Sequence, residues 1–190
     1  MKPTPASRPS VTPVMRRDTQ TRIVFLVGFM GAGKTSVGRI LSRTLGWPFE
    51  DLDDRIEAHQ GRSIEEIFRD SGETGFRRAE TAALRELLGE LDSLPRIVAL
   101  GGGAFVQSEN AALLEAAGVP VVFLDGPADE LFRRCEQEGR ERPLRRNSGQ
   151  FRELYEQRRP SYLKAAWRID TGGKDLDTVA SEVVCSLGLG

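Results

Sequence analysis

IVFLVGFMGAGKTS occupies residues 23–36, and its two halves obey different rules. Ile23 to Val27 is a continuous apolar run ended by Gly28. Such a run suits a strand buried on both faces of a parallel sheet. Gly28 to Thr35 then reads G-x-x-x-x-G-K-T. Glycines let the chain wrap so that several backbone N–H groups point at phosphate oxygens. The spacing predicts a helix starting at Lys34, whose positive N-terminal end favours an anion. Lys34 has the reach for β- and γ-phosphates, and the Thr35 hydroxyl can ligate Mg²⁺. The expected nucleotide-contacting stretch is Gly31, Ala32, Gly33, Lys34, Thr35 and Ser36. A strand before the glycines and a helix after them are the context this loop needs. The pattern implies a nucleoside triphosphate site and leaves the reaction open, because GTPases, motor ATPases and small-molecule kinases share it.

Outward from the loop, short apolar runs recur at Trp47 to Glu50, Arg96 to Leu100, Pro120 to Leu124 and Trp167 to Asp170. Helical patterns separate them. Val37, Ile40, Leu41 and Leu45 fall at helical spacing, and Gly46 ends the run. Ser63 and Glu66 form a capping-box pair before Ile67 and Phe68. Phe76 to Leu88 and Leu176 to Leu187 read as helices, and Ser108 is a candidate cap for Leu113, Leu114 and Ala117. Strands alternating with helices predict an α/β layer fold on a mostly parallel sheet. Ligands in such sheets bind at the C-terminal ends of strands.

The chain has 190 residues, enough for one domain with its own core. We expect a single domain over 21–190, with a disordered Pro-, Ser- and Thr-rich extension over 1–20. That extension lacks the apolar stretch of a signal peptide. A transit peptide or an alternative start at Met15 stays open, with a tail on a cytoplasmic protein preferred. No apolar run is long enough to span a bilayer. The net charge of -1 gives no global basic field for a nucleic acid. Two cysteines, Cys135 and Cys185, suit a reducing compartment and are expected to be packing residues. The single histidine, His59, excludes a His-based triad or metal cluster and reads as solvated. A monomer is expected.

Four further features flank the loop. Asp51 and Asp53 follow the second strand run, and alternation would set both on one side beside the phosphates. One could hold Mg²⁺ and the other accept a proton, or both could simply favour a helix N-terminus. Arg77, Arg78 and Glu80 lie near a helix start, Arg78 reading as solvated. Gly101, Gly102 and Gly103 after the third strand suggest a backbone that a ligand approaches closely. Residues 133–168 hold ten Arg and one Lys against five acids, with no aromatic platform for a nucleic acid. A mobile lid over about 137–150, carrying Arg to transferred phosphate, fits that stretch.

In this order, the residues carry a family resemblance. GFMGAGKTSVGRILSRTLGWPFEDLDDRIEAHQGRSIEEIFRDSGETGFRRAE, LGGGAF, RERPL and RRPSY with its trailing RIDT resemble a shikimate kinase over about residues 22–185. The resemblance implies a three-layer P-loop kinase fold with a five-stranded parallel sheet in the order 2-3-1-4-5. It implies transfer of the ATP γ-phosphoryl group to the 3-hydroxyl of shikimate, on the route to chorismate and the aromatic amino acids, with one Mg²⁺. Asp53 would bind the shikimate hydroxyls and act as general base, and Asp51 would support Mg²⁺ with Thr35. Arg77 and Arg158 would grip the carboxylate, Glu80 would orient Arg77, and Gly101, Gly102 and Gly103 would line the ring. Lys34 and Arg142 would act on the phosphates. Arg134 would stack near adenine, with Arg133 or Cys135 as alternatives for that place.

The chain departs from the family in two places. Arg145 follows Leu144 where many relatives have a second Leu. After Ile169, Asp170 and Thr171 it reads GGKDLD without the usual Pro, so Lys174 is expected to supply a basic contact there. A gluconate-type sugar-acid kinase or a non-catalytic nucleotide-binding regulator would share the loop. The Asp-x-Asp with Phe-Arg-Arg argues against the first, and the presence of Lys34, Thr35, Asp53 and Arg142 against the second.

Overall fold

The computed structural model of the chain describes residues 23–90, 94–137 and 148–189. The expected extension over 1–20 lies outside them, as does Arg142. Five strands form one parallel sheet in the order β2-β3-β1-β4-β5. They are β1 (Ile23–Val27), β2 (Phe49–Asp51), β3 (Arg96–Ala99), β4 (Val121–Asp125) and β5 (Trp167–Asp170). β1 is central and all five of its residues are buried, as its unbroken apolar run requires. Each parallel step needs a crossover, and helices supply it. They are α1 (Lys34–Leu45), α2 (Leu52–Gln60), α3 (Ile64–Gly89), α4 (Ser108–Ala117), α5 (Ala128–Gln137), α6 (Ser148–Tyr162) and α7 (Leu176–Leu187). None of them is long and apolar enough to cross a membrane.

Local chemistry sets the helix ends. α1 begins at Lys34 behind a left-handed Gly33 and stops at a left-handed Gly46. α3 opens on the expected capping box, with Ser63 and Glu66 satisfying each other's backbone N–H groups. Gly72 breaks α3 at φ 66°, dividing the capped half from the Phe76 half. α1 lies so close to β2 that a methyl carbon at Gly38 would stand 2.6 Å from Cδ2 of the Phe49 ring and closer still to its Cε2.

Several expectations need correction. β2 runs one residue past the expected end, and Asp51 is both its last residue and the N-cap of α2, accepting from Asp53 N at 3.2 Å. Asp51 and Asp53 are therefore neighbours through a helix cap, not through strand alternation. The cap of α4 is Gln107, and Ser108 is already helical. Cys185 is exposed, although Cys135 is buried. Both ends of the expected lid over about 137–150 are helical. Gln137 closes α5 and Ser148 to Gln150 begin α6; residues 138–147 lie outside the described part.

Candidate active site

The site gathers at the C-terminal ends of β1, β2 and β3, as a parallel sheet dictates. The glycine loop wraps tightly over its neighbours. A methyl carbon at Gly28 (φ 147°) would sit 2.7 Å from the Leu124 carbonyl, and one at Gly31 (φ 78°) 2.9 Å from Cys135 Sγ. Both positions demand glycine on space as well as on φ. Cys135 therefore packs beneath the loop. Lys34 Nζ donates to the carbonyls of Gly28 and Phe29 at 2.9 and 3.1 Å, which folds it back over the loop. Ser36 is exposed and Ala32 buried, with Gly31, Gly33 and Thr35 between these extremes.

Thr35 Oγ1 donates to Asp51 Oδ2 at 3.1 Å. Hydroxyl and carboxylate thus converge between loop and sheet. This pair suits Mg²⁺, which takes few protein ligands and keeps waters and substrate phosphates around itself. Among the described residues there is no cluster of three His, Cys, Asp or Glu to make a closed protein cage.

Beyond Asp51, the carboxyls and guanidiniums form one connected group. Asp53 Oδ1 lies against Gly101, 2.8 Å from where its methyl carbon would be, and Glu80 Oε1 lies 3.2 Å from the same point. Glu80 is fully buried. Its Oε2 accepts from Arg77 Nη1 at 2.8 Å and from Gln107 Nε2 at 2.6 Å. Burial pushes the Glu80 carboxyl up to about 7, against the pull of Arg77 and with the help of nearby Asp53. Burial works against the Arg77 charge, but Glu80 outweighs it and holds Arg77 above the ordinary guanidinium range. Arg77 also reaches Glu73 at 3.3 Å and lies 5.2 Å from the centre of the Phe76 ring. Gly103 completes its seat, since a methyl carbon there would stand 2.6 Å from Nη1.

α6 brings the second guanidinium. Arg158 sits 5.9 Å from the Phe29 ring centre, and its Nη1 is the nearest side-chain atom to Gly102. One turn on, the buried Tyr162 donates its hydroxyl to the Gly102 carbonyl. Burial raises the Tyr162 phenol to about 12, so it stays a donor. The next residue, Arg159, turns the other way and joins Tyr155 and Arg168 on buried Asp125. α6 is thereby fixed at two points, and Arg158 with it.

The expected residues do not all meet. Lys34, Thr35, Asp51, Asp53, Arg77, Glu80, Gly101, Gly102, Gly103 and Arg158 come together. Arg134 stands apart on α5, donating to Glu130 at 2.6 Å and to the Thr171 carbonyl at 3.0 Å, next to the loop after β5. Exposed Arg133 bonds back to the Asp129 carbonyl at 3.4 Å. Lys174 is held by Glu182 at 2.7 Å, and a ligand would have to draw it away. Sequence reasoning gave no role to Gln107 or Glu73. It quoted Tyr162 within RRPSY without assigning it a partner, because that partner lies sixty residues away.

The family model described as shikimate kinase matches residues 30–187. A shikimate kinase of Persephonella marina is 37% identical over 163 residues, spanning 86% of this chain and 97% of that protein. One from Geobacter sulfurreducens is 42% identical over 165 residues, spanning 85% and 88%. The solved shikimate kinase from Acinetobacter baumannii, in complex with shikimate, superposes with a TM-score of 0.78 at 35% identity, covering 87% of this chain and 92% of that one. A gluconokinase from Sinorhizobium meliloti has a TM-score of 0.56 at 21% identity, over 88% and 92%, which speaks for the fold alone. With relatives this similar along nearly their whole length, the chain belongs to the shikimate kinase family of phosphotransferases that act on an alcohol group.

Proposed function

We propose that this chain transfers the γ-phosphoryl group of ATP to the 3-hydroxyl of shikimate. The observation that carries the reading is the seating of Arg77 between Gly103 and buried Glu80, beside Asp53 and one strand from the phosphate loop. A small polyhydroxylated carboxylate needs a guanidinium for its acid group and a carboxylate for its hydroxyls, and these residues supply both. Gly101, Gly102 and Gly103 leave a floor for the ring, and Arg158 offers a second guanidinium to the same acid group.

In this mechanism Asp53 accepts the proton of the 3-hydroxyl. The bond from that oxygen to the γ-phosphorus forms as the bond from phosphorus to the β-bridging oxygen breaks, and ADP carries away the electron pair. Lys34 leaves the carbonyls of Gly28 and Phe29 and turns its ammonium to the β- and γ-oxygens. Arg142, outside the described residues, adds a guanidinium to the transferred group. Thr35 and Asp51 would hold Mg²⁺, which supplies charge neutralisation across the phosphates when bound. Arg134 beside Thr171 is the side chain for the nucleotide base.

A monomer remains the expectation, and sedimentation of the purified protein tests it. Both cysteines are thiols, in keeping with a cytoplasmic location. ADP release from ATP and Mg²⁺, followed with shikimate and separately with gluconate, decides the substrate. Turnover with shikimate and none with gluconate is expected, and the reverse would replace this function by the sugar-acid reading.

A further inference from the structure

Gln107 follows the short 3-10 turn Ala104–Val106 that leaves Gly103, and it stands at the N-cap of α4. It suits that place poorly. N-caps favour Asn, Asp, Ser and Thr, whose short side chains reach the first helical N–H groups. Gln107 makes no such bond. Its amide instead extends to Glu80, a fully buried carboxyl behind Arg77. Departures from local preference collect at functional sites.

We infer that Gln107 is a positioning residue for the acceptor site, sharing the Glu80 carboxylate with Arg77 so that the rest of the Arg77 fork stays directed at the substrate acid group. The inference rests on the shikimate reading above. A buried carboxylate must be compensated by donors. Here one oxygen, Oε2, receives both Arg77 Nη1 and the Gln107 amide, while Oε1 has no hydrogen-bond partner among the described residues. Without the amide, Arg77 would be the one hydrogen-bond donor to the carboxylate among the described residues, with Arg158 acting only at longer range. A guanidinium compensates the charge best by closing its fork on both carboxylate oxygens. That closure would withdraw Arg77 from Gly103 and from the ligand.

The charged and titratable groups around Glu80 are Arg77 and Glu73 on α3, Asp53 on α2, and Arg158 and Tyr162 on α6. Gln107 is the neutral donor among them. A hydrogen bond to the ionised form favours it, so loss of the amide would make Glu80 protonate at higher pH.

The test measures kcat and both KM values for wild type and Gln107→Met across roughly pH 6 to 9. Met keeps the volume and removes the donor. Gln107→Ala stands in if that variant fails to fold. The expected result is a shikimate KM raised about tenfold, an ATP KM within about twofold of wild type, and an upward shift in the pH at which shikimate KM changes. An unmoved pH inflection overturns the inference even if thermal stability falls, because a purely structural amide would lower stability alone. A wild-type chain inactive on shikimate sinks the functional reading and this inference together. An active wild type with an unmoved variant sinks this inference only.

Discussion

At Gly103 a hydrogen in place of a methyl group decides where Arg77 can lie. The backbone there is ordinary, with φ -102°, so alanine fits the chain without strain. The added carbon would stand 2.6 Å from Nη1 and 2.7 Å from Cζ of Arg77. Glu80 and Glu73 hold the guanidinium on its other side, so it can yield only by leaving its place. Gly103→Ala should raise the shikimate KM on the order of tenfold, because a displaced clamp costs orientation. Its melting temperature should stay close to wild type, and steady-state kinetics beside a thermal melt check both halves. Lys34 should behave differently. Its ammonium acts on charge that develops only during transfer, a contribution of several kcal/mol. Lys34→Met should abolish turnover while shikimate still binds by calorimetry, and near-normal turnover in a folded variant would refute the phosphate role.

Elements carry the next constraint, and α1 on β2 is its tightest point. Alanine is about 1 kcal/mol better than glycine inside a helix. At Gly38, however, the methyl would run into the Phe49 ring, and overpacking costs about 1–3 kcal/mol. Gly38→Ala should therefore lose stability, by about 1 kcal/mol net, seen as a lower urea midpoint at unchanged slope. The same elements show what the sequence could reveal. β1, α1, the Ser63 capping box and α7 were legible because local pattern alone makes them. α5 and α6 were not, because their Arg-rich exposed faces hid Leu131, Cys135, Phe151, Tyr155 and Tyr162, which are buried at helical spacing. The Asp pair was read with strand alternation and a helix N-terminus both open, and the structure shows the second, with Asp51 the N-cap of α2 and Asp53 in its first turn. Gln107 and Asp125 stayed silent because their partners are far along the chain, and no local pattern encodes such a contact.

For the molecule as a whole, Glu80 sets function against stability. Its carboxyl titrates near 7 in the folded protein and near 4.5 as the ordinary value. The folded state thus holds a proton that the unfolded chain has already released. The associated stability is fully present below 4.5 and is lost as pH rises through about 7. Glu80→Gln cannot ionise, so its stability relative to wild type should improve steadily from pH 4.5 to above 7, whatever the constant offset. Thermal melts at a series of pH values measure this directly, and a flat difference would mean that Glu80 titrates normally. The variant should at the same time bind shikimate weakly, as stability gained at a functional site often costs activity.

The glycine floor also bears on selection by inhibitors. A compound resting on the backbone of Gly102 and Gly103 would meet a surface with no side chain to exchange. A larger residue at 103 would displace Arg77, and one at 102 would turn toward Arg158. Escape from such a compound at 103 would cost the seat of Arg77, whereas a methyl carbon at 102 meets nothing nearer than 3.7 Å, so resistance would arise at 102 first.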